Sequence, residues 1–217
     1  MNQPAEFHTK SNKEKHVFLI DDDDSMRTSI ATLLRYVGYQ VHDFASARDF
    51  LQIEVHVAPA VIITDMRMPD LTGVELQSEL QSRGRRIPMI FISGESTTHQ
   101  VIGAMKGGAI EFLLKPFERE RLLLAVAEGL EQDARFMRNY MEVTTLQARL
   151  KSLTPRELEV FNLLSLGYNN TQIRESLQIS LPTAKQYKSA VMDKLKVSSL
   201  AELLALKNTQ KSLNSPT

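Results

Sequence analysis

The sequence predicts an α/β fold: a doubly wound, five-stranded parallel sheet with a second, small all-α domain joined to it by a long helix. Short apolar runs alternate with helical patterns from Val17 to about Gly129. From about Glu118 to Lys151 the chain has neither a strand-like run nor a proline. After Leu153 only short amphipathic helical segments remain.

Residues 1–16 are polar and read as a disordered extension. The apolar runs are Val17–Ile20, Tyr39–Phe44, Ala60–Thr64, Pro88–Ile92 and Glu111–Leu114, and their starts lie 22, 21, 28 and 23 residues apart. Each interval holds one strand, one helix and two loops. Met26, Ile30, Leu33, Leu34 and Val37 share a helical face, and Gly38 falls where a left-handed C-cap belongs. Strands alternating with helices imply a parallel sheet covered on both faces.

The first domain spans 17–130, and 131–151 is a helical linker. Leu123, Leu130 and Met137 keep a heptad that Thr144 breaks, which suits a short coiled-coil contact or a solvated helix alike. The second domain spans 152–207. Thr154 is its first N-cap, Pro155 suits N1, and Glu157 completes a capping box, with Leu153 and Leu158 at the staple positions. Further helices follow Asn169 and Ser180, and a fourth ends near Lys207. Residues 208–217 read as a flexible tail.

Composition narrows the function classes. Of 217 residues, 42% are hydrophobic and 24% charged, as in an ordinary soluble protein. No apolar run approaches the ~18–20 residues of a membrane span, and the polar N-terminus is not a secretory signal. With no cysteine, disulfides, Cys–zinc sites and thiol nucleophiles are excluded. A cytoplasmic location is expected. Residues 151–217 carry a net charge of +4 and the remainder −4, which suggests a nucleic-acid partner for the C-terminal piece.

Polar residues stand at the carboxyl ends of four predicted strands: Asp21 and Asp22, then Asp65, Ser93 and Lys115. Ligands bind at that edge of an open parallel sheet, where the strand order reverses. The flavodoxin-like order 2-1-3-4-5 puts strands 1 and 3 side by side there, so Asp21, Asp22 and Asp65 converge. Clustered carboxylates suit a hard cation such as Mg²⁺. Asp65 is then a nucleophile toward phosphorus, Lys115 neutralises a phosphoryl oxygen, and Ser93 donates a hydrogen bond to it. Taken singly, each residue is an ordinary turn, cap or surface residue; the set is what points to chemistry. The contiguous Asp21–Asp24 run lacks the alternating acids, central glycine and terminal Glu of an EF-hand, and no P-loop is present.

These strings, VFLIDDDDSMR, VIITDMRMPDLTGVEL, IPMIFISGES and AMKGGAIEFLLKPF, resemble the receiver domain of two-component response regulators over residues 17–130. The resemblance implies Asp65 as phosphoacceptor. It implies Mg²⁺ held by Asp21, Asp22, Asp65 and the backbone carbonyl of Arg67. Ser93 becomes the switch hydroxyl, Phe112 the switch aromatic and Lys115 the phosphate-binding lysine, with a cis Lys115–Pro116 bond. Arg67 and Glu95 stand two residues after the phosphoacceptor and the switch hydroxyl, positions that tend to tune phosphate lifetime.

In the C-terminal segment, Ser180 caps a helix on which Ala184, Tyr187, Val191 and Leu195 share the buried face. Lys185, Gln186, Ser189 and Asp193 occupy the opposite wedge. Lys185 and Gln186 are of the types that read base edges, and Lys188 on the flank suits a phosphate. A capped helix, a turn and a polar-faced helix suggest helix-turn-helix; a small helical interaction domain is the alternative from charge alone. LTPRELEVFNLLSLGYNNTQIRESLQISLPTAKQYKSAVMDKLKV resembles the LuxR-type DNA-binding domain of FixJ- and NarL-like regulators. That resemblance implies base reading by Lys185, Gln186 and Ser189, and phosphate contacts by Thr183, Lys188, Asn170 and Gln172. Ala184, Tyr187, Gln172 and Arg174 depart from the family's usual Val, His, Glu and Ala.

The expectation is a DNA-binding response regulator, phosphorylated on Asp65 by a sensor histidine kinase. Phosphorylation remodels the face of the fourth helix, fifth strand and fifth helix, drives homodimerisation through it or releases the DNA-binding domain from the receiver, and controls transcription from double-stranded DNA. RNA polymerase is a further candidate partner. Beyond self-phosphorylation from a donor and slow autodephosphorylation, no enzyme activity is expected. The rivals are a phosphorylation-independent DNA-binding regulator with a dimerising receiver, and a metal-dependent phosphohydrolase. The hydrolase lacks an acid/base carboxylate where Arg67 stands.

Overall fold

The structure, a computed structural model, describes residues 15–84 and 86–206. Most of the expected N-terminal extension, and the tail 208–217, lie outside the described residues. The chain divides into two compact units between Met137 and Arg138, and each is described by itself.

The first unit alternates β1 (His16–Ile20), α1 (Asp24–Tyr36), β2 (Gln40–Phe44), α2 (Ala47–Leu51), β3 (Ala60–Asp65), α3 (Gly73–Ser82), β4 (Met89–Ser93), α4 (Thr98–Lys106), β5 (Glu111–Leu114) and α5 (Arg119–Lys151). All strands are parallel, in the order β2-β1-β3-β4-β5. β1, β3 and β4 are buried along their whole length, which is why they read as unbroken apolar runs rather than alternating ones. Phe18, Ile20 and Ile62 face a layer with Phe50 of α2, Leu76 of α3 and Ala104 of α4. Val17, Leu19 and Ile63 face Ile30 and Leu34 of α1 and Leu122, Val126 and Leu130 of α5.

Each strand starts and ends within one residue of its expected position, and the differences have local causes. β4 starts at Met89 because Pro88 has no N–H for the ladder, although its carbonyl accepts from Ile62 at 2.9 Å. β3 and β4 each run one residue further, so Asp65 and Ser93 are themselves strand residues, paired with Ile92 and Leu114. Val37 does not join the buried stripe of α1. The helix ends at Tyr36, and Val37 is a C-cap with 47% exposure ahead of Gly38 at φ +97°.

α5 is one unbroken helix. Within it Asp133 is fully buried, and its carboxylate accepts the Ala60 N–H at 2.8 Å, so the helix is still held to the first residue of β3 at that point.

The second unit contains α6 (Pro155–Leu164), α7 (Asn170–Leu177), α8 (Leu181–Leu195) and a helical stretch over 200–206. Val160, Phe161, Leu164, Ile173, Ala184, Val191, Leu195 and Leu203 form its core. The Thr154–Glu157 capping box is formed. Leu158 is 44% exposed, so the staple is not a buried pair. Glu157 is buried and accepts from Lys194 at 2.7 Å; that bond and the Thr154 N–H hold its carboxyl below the usual range.

Candidate phosphoacceptor site and DNA-reading helix

The strand order brings the carboxyl ends of β1, β3 and β5 to one edge, and three predicted residues meet there. Lys115, just past β5, places its Nζ 2.8 Å from Asp65 Oδ1 and 3.2 Å from Asp21 Oδ2. Asp21 and Asp65 are buried, and the Lys115 side chain is 20% exposed. Asp21 also accepts the Asp23 N–H at 2.9 Å, and Asp65 Oδ2 accepts the Arg67 N–H at 2.7 Å. Burial pushes the Asp21 carboxyl up, beyond what the Asp23 N–H and the Lys115 ammonium recover. Burial alone would lower Lys115; the hydrogen bonds and charges of Asp65 and Asp21 outweigh it and raise the ammonium.

Asp22 is exposed. Among the described residues no three His, Cys, Asp or Glu side chains form a metal-holding group. Asp23 instead caps α1, accepting from Ser25 and Met26. Asp24 pairs with Arg27, whose guanidinium also donates to the Asp21 carbonyl at 2.7 Å. The donor chemistry nevertheless fits a hard cation: two buried carboxylates at the ends of neighbouring strands carry only one ammonium between them.

Ser93 is buried, and its hydroxyl donates to the Glu95 carbonyl at 2.8 Å while accepting from Ser96 at 2.7 Å. Its proton is thus directed into the loop after β4. Phe112 is 9% exposed and stacks on Phe91 at 6.3 Å. The Lys115–Pro116 bond is cis. Arg67 and Glu95 form an exposed ion pair at 3.7 Å.

Two positioning residues were not singled out in the sequence. A Cβ on Gly73 would stand 2.7 Å from the Asp65 carbonyl and 2.8 Å from the Phe91 ring, so only glycine lets α3 begin this close to the strand end. Asp70 accepts the Arg48 N–H at 3.0 Å, tying the loop after Asp65 to the start of α2. Both contacts are set by tertiary packing and leave no periodic trace.

In the second unit, Asn169 caps α7 and forms a capping box with Gln172. The Gln172 Oε1 accepts the Asn169 N–H at 2.9 Å. Asn170 Oδ1 is buried without a hydrogen-bond partner. Gln178, left-handed at φ 53°, ends α7 and sets the turn into α8. Ser180 caps α8 through the Thr183 N–H at 3.2 Å, and the Thr183 hydroxyl lies 2.7 Å from Ser180 Oγ. Ala184, Val191 and Leu195 are buried, and Tyr187 packs beside them. Lys185, Gln186, Ser189 and Asp193 are exposed and Lys188 is half-buried, the arrangement the helical spacing predicts.

Among the described residues no helix is long and apolar enough to cross a membrane. The family model of the response regulator receiver domain matches residues 17–127, and that of the LuxR family of bacterial regulatory proteins matches 151–206. The chain is 37% identical to nodulation protein W of Bradyrhizobium diazoefficiens over 202 residues, covering 93% of this chain and 89% of that protein. It is 34% identical to transcriptional regulatory protein FixJ of the same organism, covering 88% of this chain and 93% of that protein. Among solved structures it resembles response regulator StyR, with a TM-score of 0.85 and 38% identity over 90% of this chain and 98% of that one. The chain therefore belongs to the two-component response regulators that join a receiver domain to a LuxR-type DNA-binding domain.

Proposed function

We propose that Asp65 is the phosphoacceptor of this regulator and that a sensor histidine kinase supplies the phosphoryl group. The observation that carries this reading is the Lys115 ammonium shared between Asp65 and Asp21, at 2.8 and 3.2 Å. It lies against the carboxylate that attacks phosphorus and stands where a transferred phosphoryl oxygen needs a cation. The Asp65 carboxylate attacks phosphorus, a P–O bond forms, the P–N bond to the kinase histidine breaks, and the imidazole nitrogen leaves with a proton from water. Asp21, Asp65 and the Arg67 carbonyl would hold Mg²⁺, with Asp22 beside them. Mg²⁺ supplies charge neutralisation during transfer.

The adduct adds negative charge beside Lys115, which turns from carboxylate to phosphoryl oxygen. Ser93 exchanges the Glu95 carbonyl for that oxygen, and the loop after β4 follows it. Phe112 then repacks at the α4–β5–α5 face, where homodimerisation is expected. The second unit binds double-stranded DNA through Lys185, Gln186 and Ser189 to bases, and Lys188, Thr183, Asn170 and Gln172 to phosphates. We place the protein in the cytoplasm, where RNA polymerase is a further partner. Its only covalent chemistry is self-phosphorylation from a donor and slow autodephosphorylation.

The test is intact mass after incubation with Mg²⁺ and a small phosphodonor. One acid-stable, base-labile phosphoryl adduct on the wild type and none on Asp65→Asn supports the reading. No adduct from several donors on folded protein refutes it, and favours a regulator that works without phosphorylation.

A further inference from the structure

The wedge of α8 ends in a carboxylate that the DNA-binding reading does not use. Asp193 is exposed, and among the described residues it has no ion-pair partner. The adjacent Lys194 is not available to it, since its ammonium is held by Glu157 at 2.7 Å and by the Ser152 carbonyl at 3.3 Å. Two physical costs weigh against an acid here. It lies in the last turn of α8, whose terminal carbonyls already present negative charge. It also lies on the face offered to a polyanion.

The Ser189 hydroxyl lies 3.5 Å from Asp193 Oδ2, at the long limit of a hydrogen bond. With its proton turned toward Asp193, Ser189 shows its lone pairs outward. The wedge therefore has two chemical ends. Lys185 offers donors at its start, and Ser189 and Asp193 offer acceptors about 6 and about 12 Å further along the axis.

Acceptors need donors, and the major groove offers two, the cytosine N4 amine and the adenine N6 amine. Beside the adenine amine stands N7, a lone pair that repels a carboxylate. Beside the cytosine amine, on its own base, stands a C5–H instead, while the paired base puts one oxygen acceptor next to either amine. We propose that Asp193 is a specificity-determining residue that accepts a hydrogen bond from the N4 amine of a cytosine. This rests on the reading of α8 as the DNA-reading helix.

The experiment is selection from a random-sequence duplex pool by the full chain, with and without a small phosphodonor, at two salt concentrations. The proteins are wild type, Asp193→Asn, Asp193→Ala and Lys185→Ala, each checked for unchanged helicity by circular dichroism. The wild type enriches a site with cytosine at one fixed position. Asp193→Ala loses roughly tenfold of the preference there and keeps the other positions. Asp193→Asn moves that position toward adenine, whose N6 and N7 match an amide's acceptor and donor. Lys185→Ala relaxes a different position.

If Asp193→Ala keeps every base preference of an enriching wild type, the inference is overturned while the DNA reading stands. Uniformly tighter binding with a steeper salt dependence would then assign Asp193 to phosphate repulsion alone. If the wild type enriches no sequence, the DNA reading of α8 fails first and takes this inference with it.

Discussion

Replacing Lys115 with Met keeps the buried stem and removes the charge that Asp21 and Asp65 share. The two carboxylate oxygens cannot lie further apart than the 2.8 and 3.2 Å contacts laid end to end. Two unit charges ~5 Å apart repel by about 3 kcal/mol at an effective dielectric of about 20. Breaking a buried ion pair from one side costs a similar ~3–5 kcal/mol. Lys115→Met is therefore expected to lose about 3 kcal/mol at neutral pH without added metal.

The pH dependence fixes the cause. Burial already raises Asp21 above the ordinary carboxylate value, and loss of the ammonium raises it further. A carboxyl with a raised folded pKa contributes most below its unfolded value, and that contribution is lost as pH rises through the folded one. The variant should therefore recover stability between neutral pH and the ordinary carboxylate value of 3.8, as one carboxylate takes a proton on passing the raised folded value. Hydrogen exchange of β1 and β3 amides, read against urea at both pH values, measures this locally. Equal protection of variant and wild type at both values, or a larger loss at the lower one, would refute the reasoning.

Four further predictions use other parts of the molecule. Gly73→Ala forces a methyl against the Asp65 carbonyl and Phe91. It should cost about 1–3 kcal/mol in urea unfolding and slow phosphorylation from a small donor. Thr154→Ala removes one half of the α6 capping box and should cost the second unit about 1 kcal/mol. In the wild type, the Lys194 bond holds Glu157 below its ordinary pKa of 4.5. The second unit should therefore lose that contribution as pH falls from 4.5 through the lower folded value, and Glu157→Gln should flatten this acid limb in a circular dichroism titration. Lys188→Ala should weaken DNA binding alike for all sequences and reduce the salt slope by about one, whereas a base-specific loss would give Lys188 a different role.

The legible part of the fold was the part written in periods and ends. Unbroken apolar runs located β1, β3 and β4 because those strands are buried on both faces. Strand alternation then carried Asp21, Asp65 and Lys115 to one edge without any information about distance. Other features depend on surroundings. Asp133 sits in a charged, helical stretch that reads as linker, yet it is buried on the Ala60 N–H, 73 positions away. Gly73 and Asp70 serve contacts made across the fold. The outward spacing of Lys185, Gln186 and Ser189 followed from helical geometry. That the Ser93 hydroxyl turns to the Glu95 carbonyl, and that Gln172 spends its oxygen on a cap, are choices among hydrogen-bond partners that the residue types leave open.

The left-handed residues that end α7 and α8 carry a consequence for engineering. Gln178 and Lys196 hold φ of 53° and 54°, a region where a side chain crowds its own carbonyl and glycine does not. The DNA-reading unit thus folds with two small, removable penalties at its hinges, neither on the wedge of α8. Glycine at each site is expected to return up to about 1 kcal/mol. The unit can be hardened against heat while its reading surface stays chemically untouched, so tolerance to damage and choice of target can be adjusted separately.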